Sequence, residues 1–357
     1  DVMLQLAEPE DWALERFSSD AINGGYDFAP EEWIDWTLAD GSACQIPNWV
    51  HVERRCEEQV IFNEEGEIVA RMVEGGHGFS QVCWPLARED WTTCLDDLAC
   101  HTKSICWRSL PESIFKGGLD EANLKRITSH LKNLRRNREQ AIVLATGTAL
   151  FAAACGFRGV DKVLMDLAAA PARPEALLDK IVELHLARIG RLLPAFADNV
   201  DVVWIGDDLG MEIGPFLSPQ MFRDVFKPRY RIIVDHVKKT SPQAKVFLHS
   251  CGSIYKLIPD LIEIGFDILN PVQISARDME PARLKCEFGD VITFWGGGCD
   301  TQHVLPWATP QQVRDHVRHN IDVFAPGGGY VFCPVHNILS DVPPENIVAL
   351  FEAAMEY

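Results

Sequence analysis

The sequence predicts a (β/α)8 barrel preceded by an N-terminal cap that contains a β-hairpin. Three observations carry this expectation. From about residue 140 onward, short apolar runs alternate with helical stretches. Polar residues able to do chemistry follow those runs directly, and the glycine run Gly296-Gly297-Gly298 lacks the spacing and the following helix of a phosphate cradle. Strands separated by helices require parallel pairing and right-handed crossovers, and six or more such units favour a barrel over the alternative, an open doubly wound sheet.

In chain order, residues 1 to about 48 carry helical pieces, with a helix start at Pro30-Glu31-Glu32-Trp33. Gln59-Val60-Ile61-Phe62 and Glu67-Ile68-Val69-Ala70 flank the turn signal Asn63-Glu64-Glu65-Gly66, which reads as a hairpin. Trp84, Trp91 and Trp107 follow. They either fill the cap's own core or wall a pocket for a flat apolar substrate, and packing is the simpler reading. Residues 120–139 are charged and helical. Then come a strand at 141–145, a helix at 174–193 with Leu177, Leu178, Ile181, Leu184 and Ile189 on one face, and a strand at 202–205. Ser218-Pro219 caps the next helix. Further strands are read at 246–248, 267–270, 291–295 and 330–333, and helices at 254–264, from the Thr309-Pro310-Gln311-Gln312 cap, and from Pro343-Pro344. This division gives a cap over residues 1–115 and a barrel body over 116–357.

Composition narrows the function classes. A formal net charge of −19 argues against a nucleic-acid partner, whose phosphates need clustered Lys and Arg. Eleven cysteines, an odd number without a repeated short spacing, fit a reducing cytoplasm better than a disulfide framework. The longest uncharged run, 141–157, is interrupted by Gly147 and Gly156 and falls short of a membrane span.

Barrels gather their chemistry at the carboxyl ends of the strands. Reading each strand to its end yields Asp207 and Asp208, then His249 and Cys251, Asn270 and Gln273, Cys299, Asp300 and Gln302, and finally Cys333, His336 and Asn337. His249 and Cys251, two positions apart after Val246-Phe247-Leu248, point the same way if the strand persists. An imidazole and a thiolate side by side are two ready ligands for zinc.

The segments Gly156-Phe157-Arg158-Gly159, Leu217-Ser218-Pro219, His249-Ser250-Cys251-Gly252, Gly297-Gly298-Cys299-Asp300-Thr301 and Pro334-Val335-His336-Asn337-Ile338 together resemble the uroporphyrinogen decarboxylase superfamily. That superfamily includes zinc-dependent, corrinoid-linked methyltransferases. True decarboxylases carry an N-terminal R-Q-A-G-R motif that handles a polycarboxylate tetrapyrrole, and this chain has none. The methyltransferase branch carries H-x-C…C, in which His and two Cys hold zinc. His249 and Cys251 match its first two positions, whereas His336 stands where the third ligand, a Cys, would fall. The resemblance therefore implies zinc on His249, Cys251 and His336, with Cys333 and then Cys299 as alternates, and Asp207, Asn270 and Asp300 lining a catalytic pocket. It further implies methyl transfer from a methoxylated, aromatic small molecule to the cobalamin of a partner corrinoid protein, that is, O-demethylation. A methylcobalamin-dependent thiol or pterin methyltransferase, a metal-free decarboxylase, and a non-catalytic barrel that binds a tetrapyrrole or a corrinoid protein are the alternatives.

Overall fold

The computed structural model describes residues 6, 9–25, 32–38, 41–56, 58–76, 78–105 and 119–357. It falls into two compact units, one formed by 1–8, 23–138 and 145–200, the other by 9–22, 139–144 and 201–357.

In the first unit, His51–Arg55, Glu58–Phe62, Ile68–Val73 and Ser80–Gln81 make a four-stranded antiparallel sheet. The expected hairpin is its centre. Asn63 and Glu67 close the turn, the Glu67 N–H donating to Asn63 Oδ1 at 2.8 Å. The apolar runs of the two strands bury Ile61, Val69, Ala70 and Met72 against Val50 and Phe79. Trp33–Thr37 is a strand paired with Ala43–Pro47, where a helix start was read from Pro30. Pro30 and Glu31 lie outside the described residues. Aromatic and β-branched residues there favour the extended chain once a partner strand is present. Trp91 is fully buried under the guanidinium of Arg158, 4.9 Å from its ring, and so belongs to packing. Trp84 is partly exposed, and Trp107 lies outside the described residues.

Helices Glu121–Asn137, Phe151–Arg158, Val160–Ala169 and Ala172–Phe196 complete this unit. Asp120 caps the first of them by accepting the Asn123 N–H at 2.8 Å. His185 is completely buried in the last, with Nε2 2.6 Å from the Ala149 carbonyl and Nδ1 without a hydrogen-bond partner among the described residues. Burial, offset by the Ala149 carbonyl and reinforced by Arg188, lowers its pKa to about 4.

The second unit is built on a curled seven-stranded wall: β1 (Ala21–Asn23), β2 (Ala141–Ala145), β3 (Val202–Gly206), β4 (Lys245–His249), β5 (Ile268–Asn270), β6 (Thr293–Trp295) and β7 (Tyr330–Val331), adjacent in that order. The pairs from β3 to β7 are parallel. This is the expected barrel-type architecture in an open, distorted form; among the described residues no pairing joins β7 back to β1. The helices begin where the caps predicted. Ser218 Oγ accepts the Met221 N–H at 3.1 Å, and Thr309 and Gln312 form a reciprocal capping box. Gly265 ends the helix Ile258–Ile264 with φ +108°, a conformation that suits a residue without Cβ.

Side chains on one face of the wall alternate with those packed on the helices. Val202, Phe247 and Ile268 form one buried cluster with Val143, Trp204 and Trp295. Register then sets the site, because His249 of β4 lies level with Gly206 of β3 and with Asn270 of β5. All ten described cysteines are free, and no described helix is long and apolar enough to cross a membrane.

The lowered pKa of His185 has a consequence for stability. The unfolded chain takes up a proton near pH 6.5 and the folded one only near pH 4. This contribution is complete above pH 6.5 and is lost as pH falls toward 4, by ~3 kcal/mol at most. Urea denaturation across this range should show the loss, and His185→Gln should flatten it.

Candidate metal centre

Three side chains meet at the carboxyl end of the wall. One ligand atom each from His249, Cys251 and His336 lies within 4.8 Å of the others. Within the group, Cys251 Sγ is 3.5 Å from His249 Nε2, and the two imidazole centroids are 6.0 Å apart.

Each member is held by its neighbours in the fold. His249 ends β4, and its Nδ1 lies 2.6 Å from Asn270 Oδ1. The amide of Asn270 is oriented by its own donor, because Nδ2 gives a 2.8 Å hydrogen bond to the Trp295 carbonyl. Oδ1 is therefore an acceptor, the proton of His249 sits on Nδ1, and the lone pair of Nε2 faces Cys251 and His336. That tautomer is the one a metal requires.

Cys251 stands on a turn tied down on several sides. Its N–H donates to Asp208 Oδ1 at 2.8 Å, the Gly252 N–H to Gln273 Oε1 at 2.8 Å, and the Ser253 N–H to the Met211 carbonyl at 2.8 Å. Ser250 adds a bond from the Leu209 N–H to its Oγ at 2.9 Å. Gly252 has φ +81°, and a Cβ there would fall 2.3 Å from the carbonyl carbon of Gly210. His336 is positioned by a short continuation of pairing beyond β7. The Gly298 N–H donates to the Cys333 carbonyl at 2.9 Å and the Val335 N–H to the Cys299 carbonyl at 3.0 Å.

The electrostatics suit a cation. Burial pushes the Cys251 thiol up, and Asp208 and Glu212 push it further. Desolvation and the adjacent His249 lower the pKa of His336, with Asp208 opposing, which favours the neutral ring that binds metals. A thiolate placed near two carboxylates is stabilised by a divalent ion set between it and the two imidazoles. The donor set is therefore one that zinc fits: two imidazole nitrogens and one sulfur, with an oriented outer partner on His249.

The other residues singled out in the sequence lie around this group, and those that give no ligand atom to it have partners of their own. Cys299 is fully buried among Leu305, Val313 and Val317, with its thiol pushed up to about 12 by burial and, secondarily, by Asp300. Cys333, whose thiol burial also raises to about 12, is not in the three-residue group. Asp207 is enclosed and accepts a hydrogen bond from the Tyr230 hydroxyl of helix Lys227–Thr240, while Asp208 carries the carboxylate 3.8 Å from His249 Nε2. Asp300 accepts the N–H groups of Gln302 and His303 at 2.8 and 3.0 Å and pairs with His303 Nδ1, so it organises its own turn. Glu212 was not legible as a participant. It accepts from Gln273 Nε2 at 2.8 Å and Gln302 Nε2 at 3.2 Å, and no local motif marks it.

A barrel-type wall with a metal-capable cluster at its carboxyl end defines the class of protein to be compared. The chain belongs to the uroporphyrinogen decarboxylase (URO-D) family, whose model matches residues 117–357. It is 22% identical over 194 residues to a uroporphyrinogen decarboxylase of Magnetococcus marinus, covering 52% of this chain and 49% of that protein. It is 26% identical over 193 residues to a uroporphyrinogen decarboxylase of Psychromonas ingrahamii, covering 51% and 49%. The chain thus spans about half the length of the curated relatives it matches. Among solved structures, a methyltransferase from Methanosarcina mazei superposes with a TM-score of 0.54 at 17% identity, covering 80% of this chain and 74% of that one. At that identity the likeness concerns the fold.

Two substitutions test the geometry. Asn270→Leu should weaken zinc binding about 10–100-fold in a chelator competition, because the His249 ring loses the partner that fixes its tautomer. Gly252→Ala should destabilise the protein by ~2 kcal/mol or more in urea, since a Cβ meets backbone at a positive φ.

Proposed function

We propose that the protein is a metal-dependent methyltransferase, with zinc held by His249, Cys251 and His336. The single observation that carries this reading is the convergence of these three ligand atoms beside an Asn270 that orients His249. Zinc supplies Lewis acidity toward an oxygen or sulfur ligand in the position its protein ligands leave open. The chain's own residues do the rest. Asn270 keeps the proton of His249 on Nδ1, the turn around Cys251 presents the sulfur, and Trp204, 5.7 Å from the His249 ring, offers an aromatic surface beside the centre. Two imidazoles and one thiolate make a less electron-rich set than one imidazole and two thiolates. That favours activation of a methoxylated, aromatic donor over activation of a thiol. The particular form proposed is therefore methyl transfer from such a donor to the cobalamin of a corrinoid protein. Methyl transfer from methylcobalamin to a thiol or pterin is the nearest variant.

A second reading has its own support. Both curated relatives are named uroporphyrinogen decarboxylase, and their names favour a metal-free decarboxylase over O-demethylation. The charge of the strand-end segments speaks against a polycarboxylate substrate. Between β3–β7 and the helices that follow, residues 207–218, 250–257, 271–280, 296–309 and 332–343 contain Asp207, Asp208, Glu212, Asp278, Glu280, Asp300 and Asp341 against only Lys256 and Arg277. Carboxylates facing carboxylates repel, and recognition of such a substrate needs Arg or Lys.

Metal analysis of the purified protein decides between them. About one equivalent of zinc is expected, reduced to near background in Cys251→Ser. Metal-loaded protein should then convert cob(I)alamin to methylcobalamin in the presence of a methoxylated aromatic donor, followed by absorbance. A protein that takes up no metal and releases carbon dioxide from uroporphyrinogen is a decarboxylase, and the methyl-transfer reading is wrong.

A further inference from the structure

Beyond the three ligands, a strap of polar side chains crosses from one strand-end loop to the next. Gln273, nearly fully buried, follows β5. Its Oε1 accepts the Gly252 N–H, one residue past Cys251, at 2.8 Å, and its Nε2 donates to Glu212 Oε1 at 2.8 Å. Glu212, on the loop after β3, also accepts from Gln302 Nε2, on the loop after β6, at 3.2 Å. Ser275 Oγ donates to Gln302 Oε1 at 3.0 Å and so closes the path between the two glutamines. Val272, immediately before Gln273, is buried with φ +58°. A β-branched residue in that region is strained and persists only where its surroundings hold it.

We infer that Gln273, oriented by Glu212, is a positioning residue for the metal centre: it fixes the peptide between Cys251 and Gly252 and thereby aims the sulfur at the two imidazoles. The inference rests on the metal reading above, and names side chains that do not themselves reach the metal. The orientation works in one direction only. The carboxylate of Glu212 accepts and cannot donate while ionised, so it draws the NH2 of Gln273 toward itself and turns the carbonyl oxygen to Gly252. Reversed, the amide would set its NH2 against the Gly252 N–H. The Cys251 N–H is held independently by Asp208, so the two consecutive peptides flanking the sulfur are each clamped, from different loops. A turn fixed in this way loses little freedom when a metal binds, and the affinity rises accordingly.

The test compares Gln273→Leu, Gln273→Glu, Glu212→Ala and Glu212→Gln with the parent protein, at a temperature where circular dichroism shows all of them folded. Glu212→Gln keeps an acceptor for Gln273 and should rescue most of what Glu212→Ala loses. Zinc affinity by chelator competition should fall about 10–100-fold in Gln273→Leu and less in Gln273→Glu, which retains an acceptor for the Gly252 N–H. The cobalt-substituted protein should show a weakened sulfur-to-cobalt charge-transfer band in Gln273→Leu. A purely structural role would lower the melting temperature and leave that band as it is. Amide hydrogen exchange at Gly252, measured without metal, should accelerate in Gln273→Leu and in Glu212→Ala. Unchanged exchange at Gly252 overturns the inference whether or not the protein binds zinc. Parental zinc affinity and an unchanged cobalt spectrum in Gln273→Leu overturn it while leaving the metal reading intact.

Discussion

A single hydrogen bond, from His249 Nδ1 to Asn270 Oδ1, is the constraint on which the rest of the site depends. It exists because β4 and β5 pair in a register that sets the two residues side by side at their carboxyl ends. A slip of β4 by one residue would send His249 to the helix-facing side of the wall and part it from Asn270. The Trp295 carbonyl on the next strand removes the remaining ambiguity by claiming the NH2 of Asn270. Three neighbouring strands thus cooperate to decide which nitrogen of one imidazole is bare.

Around that fixed point the chain combines two opposed tendencies. The wall beneath is apolar and aromatic, with Phe247 and Trp295 rings 5.4 Å apart and Trp204 and His249 rings 5.7 Å apart. The loops above are acidic, and Asp208 and Glu212 both act on the Cys251 thiol. Taking a sulfur out of water near negative charge holds the proton on it until something positive arrives. A divalent ion held there would resolve both difficulties at once, since it would replace the proton and balance the carboxylates.

Much of this was legible in the sequence, for reasons that differ from element to element. The helix starts at Ser218-Pro219 and Thr309-Pro310 were readable because capping chemistry is local, and both caps are formed. The hairpin around Asn63–Gly66 was readable because two β-type apolar runs flank turn residues that are specific. His249 and Cys251 stood out through their two-residue spacing, whereas His336 was one of many strand-end polar residues and became a ligand candidate through the family pattern. What escaped depended on distant partners. Trp33–Thr37 became a strand by pairing with Ala43–Pro47, in keeping with its aromatic and β-branched residues and against the helix start read from Pro30. Between the adjacent Asp207 and Asp208, nothing in the sequence reveals that Tyr230 claims the first and Cys251 the second. Glu212 gains its place only through Gln273 and Gln302, 61 and 90 residues away.

Gly206 lies level with His249 on the adjoining strand, and a Cβ there would fall 2.1 Å from the Trp204 ring. The indole therefore occupies the volume that any other residue at 206 would need, like a stopper set just under the rim. Phe247 and Ile268 pack in the same buried cluster as this indole, so aromatic and aliphatic side chains fill the wall beneath the metal-capable group.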